Sequence, residues 1–591
     1  MKRRWFLAPS QPLLAGQLAR ELKLTPLLAQ CLLNRGLSDP AGISRFLEPR
    51  LKQLADPFLL PNMTAAVARL FLARQRGEPL VIFGDYDVDG VTATAVLLQV
   101  LRPLGWSVEY YLPHRMEEGY GLSAEAVENC LRKRPASLLL AVDCGSTSVE
   151  TVASLRARGV DVIVLDHHQV AFPPPQAVAL VNPQVQSSNG AAVTANGASP
   201  ASGHPAAASP PFAELCSVGL AFKLAHALVK RGRETALPGA ADFDLRPLLD
   251  LVALGTIADI VPLRGENRIL VSAGLARLNA TQRPGLVALK AVSQCSTPLG
   301  AHEVGYQLAP RLNAAGRLET AEDALRLLLA PNESEATPAA QQLEARNRER
   351  QRIERGIAEQ ALEAVRAHFN PDSDFVIVEG QEPWHIGVVG IVAARVLQQF
   401  YRPTIIVGGD GEAWRGSGRS IAGFDLAGAL RECGDLLVRH GGHAMAAGVT
   451  LQPQKIDAFR LRLNELARRA LKPDDLQPAL QLDAEVGLEE MNLPSLAQLG
   501  RLHPAGQGNP QVQFCARNLV HHRAVQRMGA ERQHVKMWVS DGATAHEAIW
   551  WGGGSESLPV GRFDLAFTPQ VNAYNGRTVA QLKVLDWRPA T

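Results

Sequence analysis

The sequence predicts an α/β protein. A parallel-sheet domain is joined by a long helix to a smaller α/β domain, and a β-barrel follows at the C-terminus. Three observations carry this. Between residues 79 and 165, short apolar runs alternate with amphipathic stretches of helical period, the pattern of βαβ units and a parallel sheet. Residues 339–367 interleave Glu and Arg and lack Pro, as a solvated connecting helix requires. Beyond residue 511 the apolar runs are short, and Asn575-Gly576 marks a hairpin between two of them.

In chain order, residues 1–60 form a lead-in of short helices broken by Pro and Gly. Residues 61–335 form the main domain, with strands expected at 79–83, 107–112, 137–142 and 160–165 and helices at 91–102, 123–134 and 147–158. Within it, 186–211 breaks the composition. Twenty of these twenty-six residues are Ala, Ser, Gly or Pro and none is charged, so a flexible insertion is expected. Residues 336–370 are the connecting helix. Residues 371–472 repeat the strand-and-helix pattern, and 473–591 hold the barrel, with β runs at 512–520, 535–540, 545–551, 563–568 and 578–585.

Composition sets limits on function. A hydrophobic content of 46% over 591 residues builds real cores, which excludes a wholly disordered chain and a small disulfide scaffold. Sixty Lys+Arg against fifty-eight Asp+Glu leave a net charge of +2, so no field of the whole chain recruits a partner, although local basic surface still can. Seven scattered Cys form no CxxC pair, which fits reduced thiols and argues against a thiolate zinc site. Pro9 and Pro12 interrupt the apolar start before an export signal can form, and no run reaches the eighteen apolar residues of a membrane helix. A cytoplasmic protein with no membrane partner is expected.

Chemistry gathers at three predicted strand ends. The first strand runs into Gly84-Asp85-Tyr86-Asp87-Val88-Asp89-Gly90, the third into Asp143-Cys144-Gly145, and the fourth into Asp166-His167-His168. Parallel strands bring all three tips to one edge of the sheet, where ligands of such folds sit. Carboxylates that close cannot all ionise without a counter-charge, so the pattern calls for cations. Asp with imidazole suits manganese or magnesium. The first segment is not a calcium loop, because Val96 stands where that loop needs Glu. A fourth segment, 253–263, sets Asp259 in an apolar surround near a helix end.

The runs GDYDVDGVTAT, VDCG, DHH and ALGTIADIVPL resemble, in that order, the motifs of the DHH phosphoesterase superfamily and in particular its RecJ branch. PRLNAAGR (310–317), WHIGVVGIVAARV (384–396), GSGRS (416–420) and GGHAMAAG (441–448) resemble the rest of the pattern, including a DHH-associated domain. The resemblance covers about residues 50–590. It implies a DHH domain, a DHH-associated domain and a terminal OB-fold. It also implies a single-stranded-DNA-specific exonuclease that degrades 5′ to 3′ in recombination and repair.

Carried over on these motifs, Asp87, Asp89, Asp143, His167 and Asp259 are the implied ligands of two Mn2+ or Mg2+ ions, with Asp143 bridging and His168 on the scissile phosphate. Many superfamily members carry a His where this chain has Phe83, which leaves Asp85 or water to take that ligand's place. Ser417 and Arg419 are the implied grip for a terminal phosphate, joined by Arg115 and by Arg311 or Arg317, and His443 either faces the site or packs in a core. Arg binds phosphate bidentately, which suits that role. In 511–591, nine Lys+Arg face six Asp+Glu. There Tyr574 is the stacking candidate for bases, while Trp538 and Trp587 are expected in the barrel core. The implied partners are single-stranded DNA with a 5′ end, a helicase and a single-strand-binding protein, and the implied state is a monomer. Two other functions compete, a phosphoesterase of short oligonucleotides or pyrophosphate and a non-catalytic DNA-binding scaffold.

Overall fold

The computed structural model describes residues 3–114, 117–119, 121–185, 212–409, 411–574 and 576–590, with Tyr574 described by its backbone alone. The stretch 186–211, read as a flexible insertion, lies outside the described residues, as does Arg115. The chain divides into two compact units. One gathers Ala41–Asn347 and Leu502–Pro510, and the other Met1–Pro40, Arg348–Arg501 and Gln511–Thr591.

The first unit is built on five parallel strands, β1 (Leu80–Phe83), β2 (Val108–Tyr111), β3 (Leu138–Val142), β4 (Asp161–Leu165) and β5 (Ala179–Val181). They lie in the order β2-β1-β3-β4-β5. Successive side chains of a strand point to opposite faces, and here each face meets its own core. Ile82, Leu140 and Ile163 enter one cluster, while Val81, Leu139 and Val162 enter the other. Burial on both faces explains why β1 and β3 read as unbroken apolar runs. Four helices matter for the site: α1 (Val88–Leu101), α2 (Ser217–Glu234), α3 (Leu249–Ala258) and α4 (Ala309–Leu318). α1 packs against α2, α3 and α4.

The other unit begins with a strand at Arg4–Leu7 that pairs in parallel with Ala479–Leu482. The lead-in is therefore not purely helical. Four residues whose partner lies some 475 positions away give no local signal. The long helix α5 (Glu333–His368) carries Pro338 inside it, where the ring removes one backbone hydrogen bond near the helix start. Its second half packs Ile357, Ala361 and Val365 against Ile377 and Val392. The adjoining sheet consists of β6 (Ile377–Gln381), β7 (Thr404–Gly408), β8 (Trp414–Arg419), β9 (Arg439–Gly442) and β10 (Ala446–Leu451), in the order β9-β10-β8-β7-β6. Only β6 and β7 run parallel.

In the C-terminal region, Phe514–His521 pairs with Phe563–Tyr574, which pairs with Arg577–Pro589. Arg577–Pro589 pairs with Ala545–Trp550, and that strand pairs with His534–Ser540. His534–Ser540 returns to Phe514–His521 through Val520 and His521, so the ladders form a ring. Tyr574 faces Arg577 across the expected hairpin. The aromatic core is Phe514, Phe563 and Phe567. Trp538 and Trp587 are only half-buried, against expectation. Arg523 covers the Trp538 ring at 4.5 Å, and Trp587 turns its indole N–H to the Ser557 carbonyl. An indole has a polar edge that must find a partner, and here that holds both rings at the rim.

Candidate metal centre

The chain reverses direction across the sheet between β1 and β3, so the loops that follow these strands are neighbours at the switch point. From the first loop come Asp85, Asp87 and Asp89, and from the second comes Asp143. The loop after β4 supplies Asp166, His167 and His168, and the C-terminus of α3 supplies Asp259. All these acids and imidazoles fall in one unit. Asp143 holds a left-handed backbone conformation (φ 65°) and so does Ile260 (φ 60°) beside Asp259. Strain of this kind persists where the surroundings over-determine it.

Each side chain is fixed from behind. Asp87 caps α1, with Oδ1 accepting from the N–H groups of Asp89 (2.9 Å) and Gly90 (3.1 Å). Gly90 is required here, since a Cβ would stand 2.7 Å from the Asp85 backbone. Asn313 of α4 accepts from Val88 N–H at 3.2 Å and ties this turn down. The N-terminus of α2 donates to both oxygens of Asp89, from Ser217 N–H at 2.7 Å and Val218 N–H at 2.8 Å. Ser217 Oγ donates to Asp143 Oδ1 at 2.8 Å. Asp166 Oδ1 lies 2.8 Å from His168 Nδ1, and its Oδ2 accepts from Ser146 N–H at 3.0 Å. Buried Asn182 donates to Ser146 Oγ and to the His168 carbonyl, both at 2.9 Å.

The cluster converges on His167. Its Nε2 stands 3.5 Å from Asp143 Oδ1, 3.6 Å from Asp259 Oδ2 and 3.8 Å from Asp89 Oδ2. These gaps exceed the usual hydrogen-bond length but suit donors that share a small cation. Asp259 Oδ2 is buried and accepts no hydrogen bond, an arrangement that costs free energy unless a cation satisfies it. Three sets bring their donor atoms within 4.8 Å of one another: Asp85 with Asp87 and Asp143, Asp89 with His167 and Asp259, and Asp143 with His167 and His168. Oxygen and imidazole donors without thiolate fit manganese or magnesium.

Electrostatics agree with the geometry. Burial, with the charge of Asp87, pushes Asp89 up to about 7. Burial and the charges of Asp89 and Asp87 push Asp259 up to about 9. Asp143 is raised well above the carboxylate range by burial and by four neighbouring Asp. The protein alone does not supply enough positive charge for this many carboxylates. Asp166 goes the other way. Burial opposes its charge, but the His168 ring and Ser146 N–H prevail and hold it below its usual value. For His168, burial works against the proton, and Asp166 outweighs it and raises the imidazole. Burial followed by the charge of nearby Asp lifts the thiols of Cys144 and Cys216 well above the ordinary range, so neither is a thiolate nucleophile.

The remaining predicted residues are placed as follows. Arg311, on α4, differs from expectation. It pairs with Glu344 at 2.6 Å and donates to the Gln307 carbonyl, so its charge is met inside the protein. Arg317 lies near the end of the same helix. Ser417 and Arg419 belong to the other unit, on the strand β8. Arg419 Nη1 donates to Ser417 Oγ and to the Gly418 carbonyl, both at 2.8 Å. Gly390, at the start of the helix α6 (Val389–Phe400), leaves them room, since a Cβ there would meet Ser417 Oγ at 3.0 Å and Arg419 Nη2 at 3.1 Å. His443 is exposed in the connection between β9 and β10, not packed in a core. Sequence reasoning assigned no role to Asn182, Ser217, Asn313 or Gly390. For the last two a signal existed, because both stand inside PRLNAAGR and WHIGVVGIVAARV.

Known proteins extend the picture. Residues 79–256 match the DHH family, N-terminal domain, 373–469 the DHHA1 domain, and 482–586 the RecJ OB domain. The single-stranded-DNA-specific exonuclease RecJ of Bacillus subtilis (strain 168) is 35% identical over 591 residues, spanning 99% of this chain and 71% of that protein. Its Escherichia coli (strain K12) namesake is 34% identical over 95% of each. A crystal structure of RecJ in complex with Mn2+ from Thermus thermophilus superposes with a TM-score of 0.82 at 30% identity, over 100% of this chain and 80% of that one. With one acidic centre, three domains in the family's order and identity sustained along nearly the full length, the chain belongs to the RecJ family of DHH phosphoesterases.

Proposed function

We propose that the protein is a metal-dependent, single-stranded-DNA-specific exonuclease that hydrolyses phosphodiester bonds from the 5′ end. The convergence of Asp89, Asp143 and Asp259 on His167 Nε2 carries the reading, together with family membership. Two divalent ions, when bound in such a centre, would supply charge to offset the phosphate and would acidify a water for attack. Asp87, Asp89, Asp143, His167 and Asp259 hold the ions, with Asp85 beside them in place of the ligand missing at Phe83. His168 has Nδ1 engaged by Asp166, which leaves Nε2 to donate to a non-bridging phosphate oxygen. The raised basicity of this ring favours its charged form, which stabilises charge that grows on the phosphate.

Ser417 and Arg419 supply the terminal-phosphate grip, with Gly390 leaving both side chains room. Arg317 and the exposed His443 are further contacts for the strand. In the OB region, the Arg523–Trp538 pair and the half-exposed Trp551 offer base-stacking surface. The reading includes a cytoplasmic monomer that works beside a helicase and a single-strand-binding protein. No helix among the described residues is long and apolar enough to cross a membrane.

One assay discriminates the readings. End-labelled single-stranded DNA, duplex DNA and RNA are incubated with Mn2+, Mg2+ or chelator. Digestion of single-stranded DNA alone, lost on chelation and lost in Asp143→Ala, is the expected outcome. Cleavage by a folded Asp143→Ala protein at the wild-type rate would falsify the metal assignment. For the 5′ grip, Arg419→Ala should erase the preference for a 5′-phosphate over a 5′-hydroxyl. A preserved preference moves the pocket elsewhere.

A further inference from the structure

The N-terminus of α2 lies behind the acidic cluster. Its 18 residues start at Ser217, and its N-cap, Cys216, makes no side-chain cap hydrogen bond. The Cys216 thiol instead lies 3.6 Å from Thr256 Oγ1. The first N–H groups of a helix need acceptors from outside it. Here Asp89 of α1 supplies both, with Oδ2 on Ser217 N–H and Oδ1 on Val218 N–H. The hydroxyl of Ser217 is left for another task. A Ser at the N-cap turns its oxygen back onto the helix, and a Ser deeper in a helix often bonds the carbonyl four residues earlier. Ser217 stands at the first helical position and does neither. Its Oγ, wholly buried, donates to Asp143 Oδ1 at 2.8 Å.

One residue thus reaches two carboxylates, Asp89 by its backbone and Asp143 by its side chain. A carboxylate that pivots freely about Cα–Cβ presents its oxygens in many directions. One donor on Oδ1 fixes the plane and dedicates one lone pair, so the remaining pairs point in set directions. Partners of this kind, one step behind the ligands, orient the ligand set. Resting on the metal reading above, we propose that Ser217 is a positioning residue whose hydroxyl aims Asp143, while its N–H aims Asp89, at the divalent cations of the centre. The hydroxyl contributes nothing to holding the helix, so its removal should weaken metal binding without loosening the fold.

The test is a calorimetric titration of the full-length, chelator-treated protein with Mn2+, paired with thermal melting in the absence of metal. Ser217→Ala keeps the backbone N–H to Asp89 and loses only the hydroxyl. Its expected Mn2+ affinity is roughly tenfold below wild type, with a metal-free melting midpoint within about 2 °C of it. Wild-type affinity in Ser217→Ala overturns the proposal. A midpoint lowered beyond that range also overturns it, since the hydroxyl would then be holding the fold. Failure of the underlying reading looks different, because the wild-type protein itself would then take up no Mn2+ in the same titration, and the proposal would fall with it.

Discussion

Asp89 and Asp259 hold their protons far above the usual carboxylate range because they are buried among other acids. In the unfolded chain an Asp titrates near pH 4. The metal-free fold therefore binds more protons than the unfolded chain between about pH 4 and the raised values near 7 and 9. Stability from these groups is complete below pH 4 and drains away as pH rises through that window. Melting of chelated protein should show a lower midpoint at pH 9 than at pH 6, and Mn2+ should restore more at the higher pH while releasing protons. Asp259→Asn should flatten this slope and stabilise the metal-free protein at pH 9 by on the order of 2 kcal/mol. A slope unchanged in that variant places the protons elsewhere. Asp166→Asn tests the support behind His168. Turnover should fall roughly 10- to 100-fold with the fold intact, and circular dichroism alongside steady-state rates separates the two effects. At this scale Asp143 and Asp166-His167 stood out in the sequence, because each segment opens at the end of an apolar strand. Ser217 and Asn182 stayed hidden. They act through hydrogen bonds to residues 74 and 36 positions away, and no local pattern encodes such a pairing.

Helices here serve the site by their ends. Asp87 caps α1, the N-terminus of α2 donates to Asp89, and Asp259 closes α3. That economy makes the close approach at Gly90 a sensitive joint, since any Cβ collides with the Asp85 backbone. Gly90→Ala should push the Asp85–Asp87 turn away from α1 and reduce Mn2+ affinity by tenfold or more, in line with the loss of ligand support. A crystal structure of the variant with its acidic turn unmoved would sink the steric account. Ala179–Val181 is too short to stand out in the sequence, but the other four strands of the parallel sheet were legible as elements, most of them as continuous apolar runs buried on both faces. The Arg4–Leu7 strand was not, and neither was the rim position of Trp538, which depends on a guanidinium arriving from Arg523.

Across the whole chain, sixty Lys+Arg nearly balance fifty-eight Asp+Glu, while the metal centre gathers six Asp in one small volume. Binding and cleavage should therefore separate. In chelator, cleavage should vanish while 5′-phosphorylated single strands still bind, with log affinity falling against log salt by about 0.7 per phosphate contacted. Filter binding across a salt series checks this, and a salt-independent affinity would contradict it. The order of domains was legible because each carries its own period of apolar residues. The recruitment of the first residues into the second unit was not. That recruitment has a consequence for biosynthesis. Arg4–Leu7 waits for Ala479–Leu482, and the Trp5 indole waits for Asp586. The other unit in turn takes in Leu502–Pro510, where the Leu502, His503 and Pro504 carbonyls accept from buried Arg268. At roughly 5–20 residues per second of synthesis, the opening strand emerges and then stands unpaired for about half a minute or more. An exposed strand edge is prone to association during that wait. The strand Arg4–Leu7 is thus a point of exposure in the nascent chain until its distant partner is made.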